Sequence, residues 1–372
     1  MKKVIVSVIN DLVTDQRVNK VCSTLTEAGF DVLLVGRKLR DSLPIEERPY
    51  QTHRMRLLFK KGFLFYAEFN IRLFFFLLIK KVDIYHANDL DTLLPNFLIA
   101  RLKNKVLIYD THEYFCFVPE LINRPLVQWI WLKVEEWIFP KLKYVFTVNE
   151  SIAKIYRKHY GIEPIVLLNV PSIKTFDSIQ IKSRNELGLP ENKSIILLQG
   201  AGINLNRGAE EAIEAMQYID GGILLIIGGG DVLDKLKAKT LYLNLEDKVI
   251  FKNKMPFSRL IQYTRCANVG ITLDKGNNPN YEFSLPNKLF DYIHAGLPVL
   301  ASPLVEIKKI YSRYEIGEMI ENHRPEHIAK KLKLMINNKE MQSVWRHNVI
   351  LAAREFNWEN ESRKLIKVYN QL

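Results

Sequence analysis

The sequence predicts an α/β fold built from two doubly wound parallel-sheet domains. Short apolar runs of strand length alternate with segments of helical period along nearly the whole chain, and such alternation indicates parallel sheets with helices on both faces. At 372 residues the chain also exceeds the usual size of one domain. Ligands of such folds bind beyond the carboxyl ends of the strands. We therefore expect the functional residues at those ends, around a cleft between the two domains.

The individual strands are predicted from apolar runs bounded by turn residues. In the first half they span residues 4–9, 32–35, 84–86, 106–109 and 144–148, and in the second half 195–199, 223–227, 249–251, 269–273 and 298–301. The break between the halves is expected within 169–193, where a polar stretch with proline and glycine precedes a new strand. The last segment, 358–372, has helical period, and its apolar positions need a partner surface.

The composition narrows the possible classes of function. Hydrophobic residues make up 48% and charged residues 25% of the chain, as in a folded soluble protein. The net charge of +12 points to anionic partners: nucleotide phosphates, lipid pyrophosphates, an acidic membrane face or nucleic acid. Because the basic residues are dispersed and no nucleic-acid module is recognisable, we expect no nucleic-acid partner.

The cysteines and histidines do not indicate a metal site. Cys22, Cys116 and Cys266 lie far apart in the sequence without zinc-type spacing, so we expect reduced thiols in a reducing, cytoplasmic compartment. His86 and His112 each lie at the end of a predicted strand, but no further ligands follow at a recognisable spacing. We therefore expect that the protein binds no metal.

The most apolar stretch raises the question of membrane contact. Residues 63–79 are interrupted by Glu68, Asn70 and Arg72, so we do not expect a transmembrane helix. Basic residues surround this stretch within 54–81, as in a helix that rests on a membrane interface. The alternative is a core helix with solvated basic ends. A helix on the membrane interface would place the protein at the inner face of the cytoplasmic membrane, in peripheral contact with anionic lipid.

The segment 281–299 carries the strongest functional signal. Pro286 suits a helix start, and the N-terminus of a helix offers backbone N–H groups and a positive dipole end to an anion. Lys288 adds a full positive charge there. Asp291 shares a helix face with Lys288, so it could accept hydrogen bonds from a ribose while the lysine meets a diphosphate. The alternative is a capped helix with an exposed lysine–aspartate pair.

Glycines follow two further strands of the second half. Gly200 and Gly202 precede Arg207, which could make forked contacts to phosphate oxygens. Gly228 and Gly229 end the next strand. For each cluster taken alone, the alternative is an ordinary turn that binds no ligand. Together with the helix that starts at Pro286 they favour one shared phosphate pocket.

In the first half, polar residues also follow predicted strands. His112 and Glu113 come after the strand 106–109, where an imidazole could stabilise developing charge or bind a sugar hydroxyl; the alternative is a structural histidine. Asp89 ends another strand. After the first strand, the loop carries Asn10, Asp15 and Arg17, whose polar groups could face the cleft; the alternative is helix capping by Thr14 or Asp15.

Taken in order, these motifs resemble the retaining GT-B glycosyltransferases of family four, over nearly the whole chain. The motifs lie at residues 15–18, 83–89, 110–113, 148–151 and 284–292. The resemblance implies a nucleoside diphosphate-sugar substrate, UDP- or GDP-linked, with no separate cofactor. It also implies metal-independent transfer with retention at the anomeric carbon. The domains would be 1–172 on the acceptor side, 173–355 on the nucleotide-sugar side, and a helix at 356–372 that returns to the first domain.

The resemblance also assigns roles to the residues above. His112 would contact the transferred sugar near the reacting centre. The diphosphate would be held by Gly200, Gly202, Arg207, Pro286, Asn287 and Lys288, the nucleoside and ribose by Gly228, Gly229 and Asp291, and the donor sugar by Glu282, Phe283, Ser284 and Leu285. Asn10, Asp15, Arg17, Asp89 and Glu113 would lie on the acceptor side, where a glycan or a lipid-pyrophosphate-linked glycan of surface polysaccharide synthesis is expected.

The sequence departs from the family pattern at two positions. A pair of glutamates typical of the family is represented by Phe283 and Asp291, with Glu282 one place away. The usual Gly-Arg pair appears as Gly200-Ala201, a loss for which Lys288 could compensate. Two alternatives therefore remain open: a sugar-nucleotide 2-epimerase of the same architecture, and a noncatalytic sugar-nucleotide-binding partner of another transferase.

Overall fold

The computed structural model describes residues 1–13, 15–40, 42, 44–45 and 47–372. This part of the chain forms two compact units: Met1–Asn169 together with Glu361–Leu372, and Val170–Asn360. Hydrogen bonds explain where the second unit begins and ends. The backbone N–H of Trp358 donates to the carbonyl of Pro171 (2.8 Å), and that of Ile173 donates to Glu359 (3.0 Å). Residues after Asn169 therefore belong to the second unit, although the sequence suggested a division at 172.

The first unit contains, over its described residues, a seven-stranded parallel sheet in the order β3-β2-β1-β4-β5-β6-β7. Its strands are β1 (Lys3–Asp11), β2 (Asp31–Lys38), β3 (Gln51–Arg56), β4 (Ile84–Asn88), β5 (Val106–Thr111), β6 (Tyr144–Thr147) and β7 (Ile165–Val166). Its helices are α1 (Gln16–Glu27), α2 (Gly62–Ile79), α3 (Leu90–Leu102), α4 (Pro119–Ile122), α5 (Pro125–Ile138) and α6 (Glu150–Tyr160).

The second unit contains a parallel sheet that, in the described residues, has six strands in the order β10-β9-β8-β11-β12-β13. They are β8 (Ser194–Gly200), β9 (Gly222–Gly228), β10 (Val249–Asn253), β11 (Val269–Thr272), β12 (Val299–Ala301) and β13 (Gly317–Met319). The helices are α7 (Ile173–Asp177), α8 (Ala209–Ala215), α9 (Leu233–Tyr242), α10 (Phe257–Cys266), α11 (Pro279–Glu282), α12 (Asn287–His294), α13 (Val305–Tyr314), α14 (Pro325–Asn337), α15 (Lys339–Glu355) and α16 (Trp358–Tyr369), whose end belongs to the first unit.

Each of the ten predicted apolar runs forms a strand, and the prediction of two doubly wound parallel sheets is confirmed. Three strands were missed. β3 is a polar strand at the edge of its sheet, and most of its side chains are exposed. Such a strand needs no apolar run, because only one side of it is covered. β7 and β13 are too short to give a pattern.

Helix α2 packs one side on the first sheet. Phe65, Phe69, Leu73 and Leu77, which recur every four residues, join the core with Ile5 and Val35 of the sheet. By length and composition α2 is apolar enough to cross a membrane, but this is also true of many core helices.

Candidate functional site

Two predicted phosphate-binding cations of the second unit lie at one carboxylate. The Nη1 atom of Arg207 is 3.3 Å from Oδ1 of Asp274, and Nζ of Lys288 is 3.4 Å from Oδ2 of the same side chain. Asp274 is fully buried, whereas the side chains of Arg207 and Lys288 remain 29% and 10% exposed. Two cations that are 81 positions apart in the sequence thus converge on one point. This arrangement fits an anion that carries more than one negative charge.

The backbone explains how Arg207 reaches this point. Asp274 follows the end of β11, and the N–H of the next residue, Lys275, donates to the carbonyl of Asn206 (2.9 Å). Gly208 adopts a positive φ of 75°, and a Cβ atom there would lie 2.4 Å from Leu273. The loop after β8 can therefore lie directly against the end of β11. The guanidinium of Arg207 also stacks on the ring of Tyr281, 4.7 Å from its centroid.

The electrostatics of this cluster favour a further anion. Burial lowers the pKa of Lys288, Asp274 opposes this effect, and the neighbouring Arg207 adds to it. Burial also works against the charge of Arg207, but Asp274 and Tyr281 outweigh it and raise the pKa of Arg207. Two cations share one carboxylate, so the cluster keeps an excess of positive charge. A diphosphate would relieve the repulsion between them.

The start of α12 carries Lys288, one of these cations. Pro286 is its N-cap, and no side-chain cap bond is found there in the described chain. Asn287 is exposed. The Oγ atom of Ser284 is buried and, among the described residues, lacks a hydrogen-bond partner. A buried hydroxyl without a partner is costly, which fits a ligand-binding role. Of the other predicted sugar-binding residues, Glu282 is exposed and Phe283 and Leu285 are half-buried.

Asp291 lies on α12, one turn after Lys288. Its Oδ2 accepts a hydrogen bond of 2.9 Å from Nε2 of Gln199, a buried residue of β8. The side chain of Asp291 is half-buried, so it is held at the carboxyl end of β8 and still reaches solvent. Its role in ribose binding stays a prediction.

The two glycine clusters lie against each other. A Cβ atom on Gly228 would be only 1.8 Å from the carbonyl oxygen of Gly200. The same oxygen accepts a hydrogen bond from the backbone N–H of Gly229 (3.3 Å). Gly202 is exposed and Gly229 is half-buried. Close backbone packing thus explains Gly228 without a phosphate, whereas Gly202 remains accessible to a ligand.

This packing predicts different costs for two alanine substitutions. Gly221→Ala places a side chain at a φ of 70° in open space, and we expect it to destabilise the protein by about 1–2 kcal/mol. Gly228→Ala adds the collision with Gly200, so we expect it to lower the free energy of unfolding by about 1–3 kcal/mol more than Gly221→Ala does. Chemical denaturation of both variants tests this difference. Equal stabilities would show that the two loops do not pack in this way.

In the first unit, Asp110 at the end of β5 organises a second cluster. Arg17 donates to it from Nε (3.0 Å) and from Nη2 (2.6 Å), and a third bond runs from Nη1 to the carbonyl of Leu167 (2.8 Å). Arg17 is 3% exposed and Asp110 is fully buried. The guanidinium therefore holds Asp110 in place, and we revise the predicted acceptor-side role of Arg17 to a positioning role.

Loss of Arg17 would leave a buried carboxylate without its main cation. We expect Arg17→Met to lower the free energy of unfolding by about 3–5 kcal/mol, because the partner charge stays buried. The matched control is Arg313→Met, which breaks the more exposed ion pair with Glu355 and should cost about 1 kcal/mol or less. Urea denaturation measures both changes, and a similar small loss in the two variants would contradict the structural importance of Arg17.

His112 lies between two carboxylates. Its backbone N–H donates to Oδ1 of Asp89 (2.8 Å), its Nδ1 is 3.2 Å from Oδ2 of Asp89, and its Nε2 is 3.4 Å from Oδ2 of Asp110. Burial opposes the positive charge, but Asp89 and Asp110 outweigh it and raise the pKa of His112 to about 10. The imidazole is therefore protonated at neutral pH. It can donate hydrogen bonds and stabilise negative charge, but it cannot act as a base.

The raised pKa predicts how His112 titrates. The ordinary histidine pKa is near 6.5, so the ion pairs stabilise the fold fully below that pH and are lost as pH rises through about 10. NMR of the histidine side chains should show His112 charged and unchanged from about pH 6 to 8. Asp89→Asn should lower its pKa. His86, whose pKa burial lowers to about 4, should remain neutral over the same range and serves as the control. Titration of His112 near the ordinary value would refute the assigned charge state.

The remaining acceptor-side candidates lie at or just after the ends of β1 and β5. Asp15 caps α1 by accepting from the N–H of Val18 (3.0 Å), so the capping alternative is confirmed for Asp15. Its other oxygen accepts from Asn10, which is exposed (3.0 Å). Glu113 is half-buried next to His112. Thr14, the other candidate cap, lies outside the described residues.

The sequence assigned no role to three residues of these clusters. Asp274, Asp110 and Gln199 are buried polar residues at the carboxyl ends of apolar strands. That position was the available signal, because a polar side chain in a buried strand needs a partner.

His86 binds the hydroxyl of Tyr369 through Nδ1 (2.7 Å). Within the described chain, no group of three or more His, Cys, Asp or Glu side chains is arranged to hold a metal ion.

Comparisons with known proteins cover most of the chain. Residues 16–169 match the family model described as Glycosyltransferase Family 4, and residues 179–351 match that of Glycosyl transferases group 1. An uncharacterised glycosyltransferase of Methanocaldococcus jannaschii is 22% identical over 75% of this chain and 72% of its own length. A D-inositol 3-phosphate glycosyltransferase of Acidothermus cellulolyticus is 26% identical over 56% of this chain. The matched region covers about half (49%) of the length of that relative.

Solved structures share the fold at low sequence identity. Sucrose-phosphate synthase of Thermosynechococcus elongatus superposes with a TM-score of 0.79 at 18% identity, covering 100% of this chain and 99% of that one. The Anabaena protein HepE, solved in complex with UDP and glucose, has a TM-score of 0.75 at 11% identity, with 100% of both chains covered. These likenesses show the GT-B fold, and the residue roles rest on the geometry above.

Proposed function

The chain belongs to the group 1 and family 4 glycosyltransferases, and on that basis we propose that it transfers a sugar from a nucleoside diphosphate-sugar to a glycan or lipid-linked acceptor. One observation carries the proposal: Arg207 and Lys288 converge on Asp274 at the start of α12, which has no side-chain cap among the described residues. A diphosphate needs such a cluster of positive charge and N–H groups. We further propose a UDP-linked donor, in keeping with the UDP bound by the similar HepE protein.

The proposed mechanism relies on stabilisation of the leaving group. The donor diphosphate gains negative charge as the glycosidic bond breaks, and fixed cations that already face it lower the barrier. The acceptor hydroxyl then attacks the same face of the sugar from which the diphosphate leaves and passes its proton to the departing diphosphate, so that the anomeric configuration is retained. His112, held as a cation by Asp89 and Asp110, donates a hydrogen bond to the transferred sugar. Arg17 supports this step only through Asp110.

A thermal-stability screen tests donor binding directly. A ligand that binds only the folded protein raises its apparent stability, by about 2.7 kcal/mol at a concentration of 100 Kd. We expect UDP or a UDP-sugar to raise the melting temperature, and Arg207→Gln to abolish the shift. Arg324→Gln, at an exposed position of the second unit, should leave it intact. No stabilisation by any nucleoside diphosphate or its sugars would refute the proposal.

The stabilising donor then allows the reaction itself to be tested. Incubation with glycan and lipid-linked acceptors should release the nucleoside diphosphate and form a new glycosidic bond. Consumption of the donor without any acceptor would instead identify a 2-epimerase. Donor binding without turnover under any condition would identify a noncatalytic partner.

A further inference from the structure

The outward side of α2 is apolar, although its inward side already lies in the core. Phe63, Ile71, Phe75 and Ile79 are 73%, 58%, 60% and 76% exposed. An ordinary surface helix carries polar residues on that side. Only 22% of the residues of α2 are buried, and these lie on its inward side. The apolar side chains on the outward side therefore take no part in holding the first unit together.

Helix α5 extends this surface. Leu126 and Trp129 are 70% and 55% exposed. The two helices meet where Tyr66 of α2 and Trp131 of α5 make an edge-to-face contact, with ring centroids 5.4 Å apart. We call the exposed apolar side chains of α2 and α5 the α2–α5 surface. Large apolar side chains left exposed on two helices that touch each other are typical of an interaction site.

The charges around the α2 part of the α2–α5 surface favour an anionic partner. Residues 54–81 contain seven lysines or arginines and one glutamate. That glutamate, Glu68, accepts hydrogen bonds from the backbone N–H groups of Leu58 and Phe59 and pairs with Arg72 (2.7 Å), so its charge is compensated. Exposed Lys60, Lys61 and Lys81 stand near the two ends of α2. Both ends of the apolar stripe are therefore positive.

A basic groove lies beside the same layer of helices. It has a volume of about 410 Å³, and Arg101, Lys105, Lys141 and Lys143 line it. The Nζ atom of Lys141 is 4.7 Å from the centroid of the indole ring of Trp137, an α5 side chain that is 47% exposed. Such a groove suits a phosphate headgroup next to an acyl chain. Tryptophan and lysine side chains of this kind are typical of the interface between water and lipid.

From these observations we infer that the α2–α5 surface docks on a lipid bilayer that carries anionic phospholipid headgroups. The buried stripe that includes Phe69 and Leu73 keeps α2 in the core, so the helix lies along the interface and does not cross it. At about 1.5 Å per residue its 18 residues offer a contact about 27 Å long. The inference rests on the proposed function in one respect: docking would bring the enzyme to a lipid-linked acceptor.

Vesicle sedimentation tests the docking without any transfer reaction. The full chain should bind vesicles of phosphatidylglycerol and phosphatidylethanolamine, and it should bind phosphatidylcholine vesicles at least about tenfold more weakly. The double variant Phe75→Gln/Ile79→Gln should lose at least about tenfold in binding to the anionic vesicles. Its matched control is Leu241→Gln/Tyr242→Gln, which changes side chains that are 65% and 84% exposed on α9. This control should bind like the unmodified chain.

Several results would overturn the docking. The first two are that the chain does not bind the vesicles, or that the control variant loses as much vesicle binding as the double variant. A third is binding that resists both high salt and alkaline extraction, as expected for a spanning helix. The fourth is self-association that the double variant abolishes while vesicles remain unbound. Donor-induced thermal stabilisation is measured on the same variants and should be unchanged. Failure of the docking thus shows in the vesicle assay, and failure of the proposed function shows in the donor assay.

Discussion

Lys288→Ala is expected to lower kcat by about 10²–10³-fold, the loss typical when one fixed donor to a developing negative charge is removed. The ammonium group lies 3.4 Å from Asp274 and shares that carboxylate with Arg207. Its charge is therefore fixed before the donor binds and needs no rearrangement during the reaction. Because the charge of the diphosphate grows in the transition state, kcat should fall more than donor affinity.

Two controls separate this effect from a loss of structure. Lys275→Ala removes a neighbouring lysine that pairs with Glu211 (2.5 Å), and it should keep nearly full activity. Lys288→Met keeps most of the side-chain volume, so it should fold like the unmodified protein while turnover is still lost. Near-normal transfer by a folded Lys288→Ala variant would refute the role of this residue.

His112→Ala is expected to lower kcat by about 10²–10⁴-fold with little change in donor affinity. Asp89 and Asp110 hold the imidazolium in one orientation, and only 17% of its side chain is exposed. In the proposed mechanism this charge acts on the transferred sugar and not on the nucleotide. The rate constant should therefore fall, while the thermal shift caused by the donor remains.

The matched control is His347→Ala, at an exposed histidine of α15. It should leave both the rate and the donor affinity unchanged. The Asp89→Asn variant adds a readout that a structural role would not give, because the weaker ion pair should introduce a pH dependence near neutrality. Unchanged kinetics in His112→Ala would reduce His112 to a structural residue.

Much of the candidate site was predictable because strand ends can be read from the sequence. The residues after β5 and β8 come from motifs at such ends, and those at the start of α12 come from a helix-start motif. Arg207 and Lys288 were predicted as partners of one diphosphate, and the structure brings them to one carboxylate. That carboxylate, Asp274, was missed because a single aspartate after a strand has no motif of its own.

Other residues changed their interpretation once their partners were known. Arg17 looked like a residue that faces an acceptor, but its three hydrogen bonds are all internal. Gly228 was predicted to line the phosphate pocket and to hold the nucleoside, but close packing against the backbone of Gly200 is enough to require a glycine there. In both cases the sequence contains the residue type and lacks the distance to its partner.

The sequence by itself determined the alternation of strands and helices, and with it two parallel sheets whose carboxyl ends carry the polar residues. This follows from local patterns, since strand and helix periods are properties of neighbouring residues. Only the tertiary structure decided which distant charges meet: Arg207 with Lys288 at Asp274, and His112 with Arg17 at Asp110. Charge states depend on such meetings, because burial and opposite charge act through space and not along the chain.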